Sequence, residues 1–124
     1  MLVRWLVEPK RLSRDQVRVL RGAIQQGESL GVSAITLLEM ALLFGEGGTR
    51  LRVPVQELFA TLDAGGGFHV IPLDVDVAAE VAALGDTLRD PATRAIVATA
   101  RVHRLRLVTS DQRIIASKLV AVVE

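Results

Sequence analysis

Three carboxylates stand out in this sequence by their positions. Glu39 interrupts Leu37-Leu38-Glu39-Met40-Ala41-Leu42-Leu43, and an unpaired charge among apolar side chains costs roughly several kcal/mol unless a partner offsets it. Asp111 closes Arg106-Leu107-Val108-Thr109-Ser110-Asp111, just past the carboxyl end of a predicted strand, which is where α/β proteins build their sites. Asp90 precedes Pro91 at the head of a predicted helix. Each has a plainer explanation as well. Glu39 can sit on an exposed helix position or pair with an arginine, and Asp90 and Asp111 are both good helix N-caps. Taken together, the three fit one site that binds a hard divalent cation through oxygen, with Mg²⁺ or Mn²⁺ the natural choice. Such an ion lowers the pKa of a bound water and stabilises charge on a phosphodiester under attack, so the reaction class is phosphodiester hydrolysis.

Composition removes most other chemistries. There is no Cys, and His69 and His103 are the only histidines, so thiol nucleophiles, disulfide frameworks and Cys- or His-rich metal sites are excluded. Ser13, Ser33 and Ser110 have no Gly-x-Ser-x-Gly elbow around them, which leaves a serine hydrolase without support. Gly45-Glu46-Gly47-Gly48-Thr49 lacks the Gly-Lys-Ser/Thr ending of a phosphate-binding loop, and Gly65-Gly66-Gly67 leads into a strand rather than a helix. The net charge of +1 conceals arginine-rich stretches, Lys10 to Arg14 and Arg101 to Arg106. These suit phosphate contact, although a solvated helix face is the simpler explanation of the charge alone.

The elements that must position the acids follow from periodicity. With 124 residues, half of them apolar and only 3 % aromatic, the chain reads as one domain, 1–124, with a core of Leu, Val, Ile and Ala. Leu2 to Val7 reads as a short helix, or the last turns of one, stopped at Glu8-Pro9. Ser13 and Gln16 form a capping box for an amphipathic helix reaching Gly27. Gly31-Val32 is a brief approach to a helix from Ala34 to Phe44, capped by Ser33 and expected to be largely buried. Pro54 opens a helix to about Ala64. Phe68 to Leu73 is a strand, followed by a helix through Val77, Val81 and Leu84. Asp90-Pro91 starts a helix with Ile96, Val97 and Ala100 inward, Leu105 to Thr109 is a strand, Gln112 to Lys118 a helix and Leu119 to Val123 a last strand. This alternation predicts an α/β fold with a parallel sheet covered by helices. Three predicted strands are few for such a sheet, so a central strand is expected to be missing. No apolar run approaches the ~18–20 residues of a membrane span, and the N-terminus is too short and charged for a signal peptide. The protein therefore reads as cytoplasmic.

The order of these segments resembles the PIN domains of VapC toxins over nearly the whole chain. The resemblance is carried by Arg4-Trp5-Leu6-Val7-Glu8-Pro9-Lys10-Arg11-Leu12-Ser13, by Val32-Ser33-Ala34-Ile35-Thr36-Leu37-Leu38-Glu39-Met40-Ala41, by Arg89-Asp90-Pro91-Ala92-Thr93-Arg94-Ala95-Ile96-Val97-Ala98-Thr99-Ala100 and by Leu107-Val108-Thr109-Ser110-Asp111. It implies an α/β/α sandwich, a Mg²⁺- or Mn²⁺-dependent endoribonuclease acting on RNA, a homodimer, and inhibition by a cognate antitoxin that occupies the acidic groove. It places the family's buried glutamate on Glu39, its strand-end aspartate on Asp111 and the hydroxyl residue beside the site, a substrate contact, on Thr109.

Two departures accompany the resemblance. The family opens with a strand ending in Asp a few residues before the Trp, whereas Met1 stands four residues ahead of Trp5, so that first ligand and most of the first strand are expected to be absent. The family's Asp-Pro-x-Asp-Arg motif has its second acid at the position of Thr93, which leaves Asp90, one turn earlier, as a substitute ligand. Two readings stay open: a metal-dependent endoribonuclease, or a catalytically silent PIN domain that binds an antitoxin partner or RNA without cutting it. A receiver or nucleotide-binding domain would need an early acidic pair or a Gly-rich phosphate loop, and neither is present.

Overall fold

The structure is a computed structural model that describes residues 3–8, 12–45 and 67–123. The predicted helix from Pro54 to Ala64, Lys10 and Arg11, and most of both glycine clusters lie outside the described residues. The elements run β1 (Val3–Val7), α1 (Arg14–Gln25), β2 (Ser29–Ser33), α2 (Ala34–Gly45), β3 (Phe68–Ile71), α3 (Val75–Ala83), α4 (Pro91–His103), β4 (Arg106–Val108), α5 (Gln112–Ser117) and β5 (Val122–Val123). All strand pairs are parallel, in the order β3-β2-β1-β4-β5.

The α/β class with its parallel sheet is as expected, but the described residues form five strands instead of three. The central position is filled by Val3–Val7, a segment that periodicity had assigned to helix. A short run buried on both faces shows no alternation, so periodicity alone does not separate strand from helix. Leu6 and Val7 are both buried, one in each of two apolar clusters on opposite faces of the sheet. The second unpredicted strand is Ser29-Leu30-Gly31-Val32-Ser33, buried at every position. Only two of its five residues are strongly apolar, which is why it read as a mere approach to α2. Gly31 suits its place. A β-carbon there would stand 2.7 Å from Ile71 Cδ1, 3.2 Å from Val3 Cγ1 and 3.4 Å from the Trp5 carbonyl.

Helices cover both faces. On one, α3, α4 and α5 contribute Val77, Ile96, Val97, Ala100 and Ile114 to a cluster around Leu6 and Leu107. On the other, Leu20 and Ala23 of α1 pack on Val7, Leu30 and Val108. This is the three-layer arrangement that parallel connections produce. The expectation that α2 is largely buried is corrected: Leu38 and Leu42 are more than half exposed. Among the described residues no helix is long and apolar enough to cross a membrane.

The caps fall where the sequence puts them. Ser13 and Gln16 form the reciprocal capping box of α1, and Asp90 and Asp111 cap α4 and α5. Arg94 fixes the approach to α4 by donating to the carbonyls of Val81 (2.7 Å), Leu88 (2.9 Å) and Gly85. Of the arginine-rich stretch after it, Arg101 donates to the Leu119 carbonyl at 2.5 Å and pairs with Glu80 at 3.5 Å, a structural use of its charge.

Candidate active site

The strand order reverses between β1 and β4, and a crevice opens outside the carboxyl ends of strands at such a switch point. Here the crevice is acidic. A cavity of about 190 Å³ is lined by Glu8, Glu39, Asp90 and Asp111, with Thr93, Ile96, Arg113 and Ile114 completing the wall. Glu8 follows β1, Asp111 follows β4, Glu39 projects from α2, and Asp90 and Thr93 form the first turn of α4. The three acids expected from the sequence are thus brought to one cavity, and a fourth joins them.

Glu8 is the residue that sequence reasoning missed. It is 5 % exposed, its backbone N–H extends the β1–β4 ladder by donating to the Val108 carbonyl at 3.0 Å, and its Oε2 accepts from the Thr109 hydroxyl at 3.3 Å. A signal was present: Leu2 to Val7 closed by Glu8 has the same form as Leu107 to Thr109 followed by Asp111, an apolar run ending in an acid. With Val3–Val7 read as helix, Glu8 counted only as a stop.

Thr109 was expected to contact substrate, and its placement corrects this. It is fully buried, and its hydroxyl donates to Glu8 while accepting from the Asp111 N–H at 3.0 Å. It ties the two strand-end acids together from behind. Gln16 supports the same corner. Its side-chain amide donates to the carbonyls of Thr109 (2.8 Å) and Val123 (2.9 Å), while Oε1 accepts from Ser13 N–H (2.9 Å) and the Ser110 hydroxyl (2.7 Å). Only the bond to Ser13 was legible in the sequence, because the others join residues about a hundred positions apart.

Asp90 and Thr93 act as a pair. Asp90 Oδ2 accepts from both the backbone N–H (2.9 Å) and the hydroxyl (2.8 Å) of Thr93, so the residue in place of the family's second acid holds the substitute in its cap. Asp111 is held by Arg113. Its Oδ1 accepts from Arg113 N–H (2.9 Å) and Nε–H (3.3 Å), and its Oδ2 from Nη2–H (3.0 Å). These bonds, led by the side-chain fork, hold the Asp111 carboxyl below its ordinary pKa against the opposing effect of burial, and the same pairing raises that of Arg113. The histidines play no part here, since His69 and His103 are exposed and neither lines the cavity.

The donor set suits a hard cation. Carboxylate oxygens, with no sulfur or imidazole, line a space of about 190 Å³, enough for a small ion with several waters at roughly 30 Å³ each. Among the described residues no three acids converge closely enough to hold an ion directly. Mg²⁺ commonly takes only one or two carboxylates and keeps its waters.

Comparison with known proteins agrees with this architecture. The family model of the PIN domain matches residues 1–118. Ribonuclease VapC22 of Mycobacterium tuberculosis is 36 % identical over 113 residues, covering 89 % of this chain and 81 % of the relative. Among solved structures, FitAcB from Neisseria gonorrhoeae superposes with a TM-score of 0.67 at 24 % identity, covering 97 % of this chain and 96 % of that one. DNA-bound VapBC from Salmonella typhimurium gives 0.68 at 14 % identity, with 98 % of each chain covered.

Proposed function

We propose that this chain, which belongs to the PIN domain family, is a VapC-type endoribonuclease that hydrolyses RNA phosphodiester bonds at the acidic cavity. The observation that carries the reading is the meeting of Glu8, Glu39, Asp90 and Asp111 around one cavity at the β1–β4 switch point. Four carboxylates facing one space repel each other and favour a cation between them. The 36 % identity to a ribonuclease supports RNA as the substrate.

Glu8 and Asp111, on adjacent strand ends, are the residues that would hold Mg²⁺ or Mn²⁺, with Glu39 across the cavity and Asp90 beside Thr93. Bound there, the cation supplies Lewis acidity and charge neutralisation for the attack of water on a phosphodiester. The protein's own part is positional. Thr109 fixes Glu8 and the Asp111 backbone, Gln16 fixes Thr109, and Arg94 fixes the loop that delivers Asp90. Ile96 and Ile114 form an apolar floor that strengthens electrostatics inside the cavity.

The test is cleavage of a labelled RNA by the purified protein with Mg²⁺ or Mn²⁺ and with chelator. Metal-dependent cleavage is expected, reduced about 100-fold or more by Glu8→Gln, since a cation site supplies several kcal/mol and each 1.4 is tenfold. A second reading is favoured by Thr93: with a neutral residue at the motif's second acid, the domain binds an antitoxin or RNA without cutting. Inactive wild type together with an active Thr93→Asp variant would establish that reading, and cleavage by the wild type removes it. Under either reading the partners are an antitoxin protein and a second copy of the chain. The exposed Leu38 and Leu42 offer apolar surface for association, and light scattering of the isolated protein and of its antitoxin complex checks both partners.

A further inference from the structure

Arg113 is the cation that reaches into the acidic cavity among its described lining residues, and its placement bears on how a metal would enter. The nuclease reading above is its premise. A carboxylate oxygen offers two lone pairs. On Asp111, Oδ1 accepts from the backbone N–H and from Nε–H of Arg113, and Oδ2 accepts from Nη2–H. The backbone bond is the helix cap and takes one lone pair, leaving room for a cation. The guanidinium fork takes the edge of the carboxylate through which both oxygens would face an ion.

We propose that Arg113 is a positioning residue: it serves as the counter-ion of Asp111 in the metal-free site and is displaced from Asp111 by the entering divalent cation. Three features support this. The Arg113 side chain is 70 % exposed while that of Asp111 is 13 % exposed, so the arginine can swing away without uncovering core, and the acid stays. A second cavity of about 220 Å³, lined by Thr87, Leu88, Arg89, Asp90, Thr93 and Arg113, adjoins the first and gives the guanidinium a place to go. The fork bonds Asp111, whereas a divalent ion in the cavity has twice the charge and faces Glu8, Glu39 and Asp90 as well. An exposed ion pair is weak and screened by salt, so the exchange favours the ion.

Titration of the protein with Mn²⁺, followed by calorimetry and by the loss of free-Mn²⁺ spin resonance signal, tests the proposal. Arg113→Gln is expected to bind Mn²⁺ about three- to fivefold more tightly than wild type, the scale of one exposed pair. Arg113→Lys, which keeps the charge but not the fork, is expected to fall between. Arg89→Gln removes the same charge from the neighbouring cavity and is expected to change affinity by less than about twofold. If the Arg113 side chain only braces Asp111 in its cap of α5, its replacement lowers the melting temperature and leaves Mn²⁺ affinity unchanged, which overturns the proposal. Equal tightening by Arg89→Gln overturns it too, because the effect is then one of net field. In both of those cases wild-type Mn²⁺ uptake and cleavage leave the nuclease reading standing, whereas no Mn²⁺ uptake by wild type or Arg113→Gln overturns both.

Discussion

At the scale of single residues, the acids differ in how they are held, and that difference can be measured. Asp111 has its carboxyl pKa depressed by the Arg113 fork. A group whose folded pKa lies below its unfolded value of about 3.9 contributes stability that is present above that value and is lost as pH falls through the folded one. In metal-free buffer, thermal melts from pH 5 to pH 2.5 should therefore show wild type losing its advantage over Asp111→Asn below about pH 4, with the gap constant above. A gap that persists to the lowest pH would mean the carboxylate's charge is not what Arg113 holds. Glu39, Asp90 and Asp111 were legible in the sequence because each stood in a telling local setting: an apolar helix, the residue before a proline, a strand end. Glu8 was not, because its meaning depends on whether Val3–Val7 is a strand, and a run of five residues carries no period that decides this. The inward turn of the Thr109 hydroxyl was likewise invisible, since its partners are Glu8, 101 residues away, and the backbone of Asp111.

At the scale of elements, the corner where α1, β4 and β5 meet depends on one buried amide. Gln16 satisfies the carbonyls of both Thr109 and Val123, and replacing it with leucine strands one buried and one half-buried acceptor at roughly 1–3 kcal/mol each. Gln16→Leu should cost about 2–4 kcal/mol in urea unfolding and should weaken Mn²⁺ binding, because Thr109 no longer sits squarely behind Glu8 and Asp111. Unchanged stability would show that water replaces the amide. Gly31 makes a comparable case in the sheet. With Ile71, Val3 and the Trp5 carbonyl already within 3.4 Å of a notional β-carbon, Gly31→Val should destabilise by about 1–3 kcal/mol through overpacking, seen as a lower urea midpoint with an unchanged slope. Helix caps and amphipathic stripes were readable because they are local. Strands β1 and β2 were not, because a parallel strand buried on both faces is defined by its neighbours and not by its own pattern.

At the scale of the whole molecule, the cavity joins β1, β4, α2 and α4, so a ligand there should stabilise the domain as a unit. A cation that binds only the folded state adds about 2.7 kcal/mol at a hundred times its Kd, and Mn²⁺ should raise the melting temperature in a dose-dependent way that chelator reverses. A melt indifferent to Mn²⁺ would place the ion outside the folded cavity. The sheet order has a consequence for biosynthesis. Glu8 is synthesised first, and Thr109, its hydrogen-bond partner, is added 101 residues later, a wait of roughly 5 to 20 seconds. Until then the central strand lacks its β4 neighbour and the acidic cavity lacks Asp111. A nascent chain that has not yet reached Asp111 therefore cannot assemble the cavity.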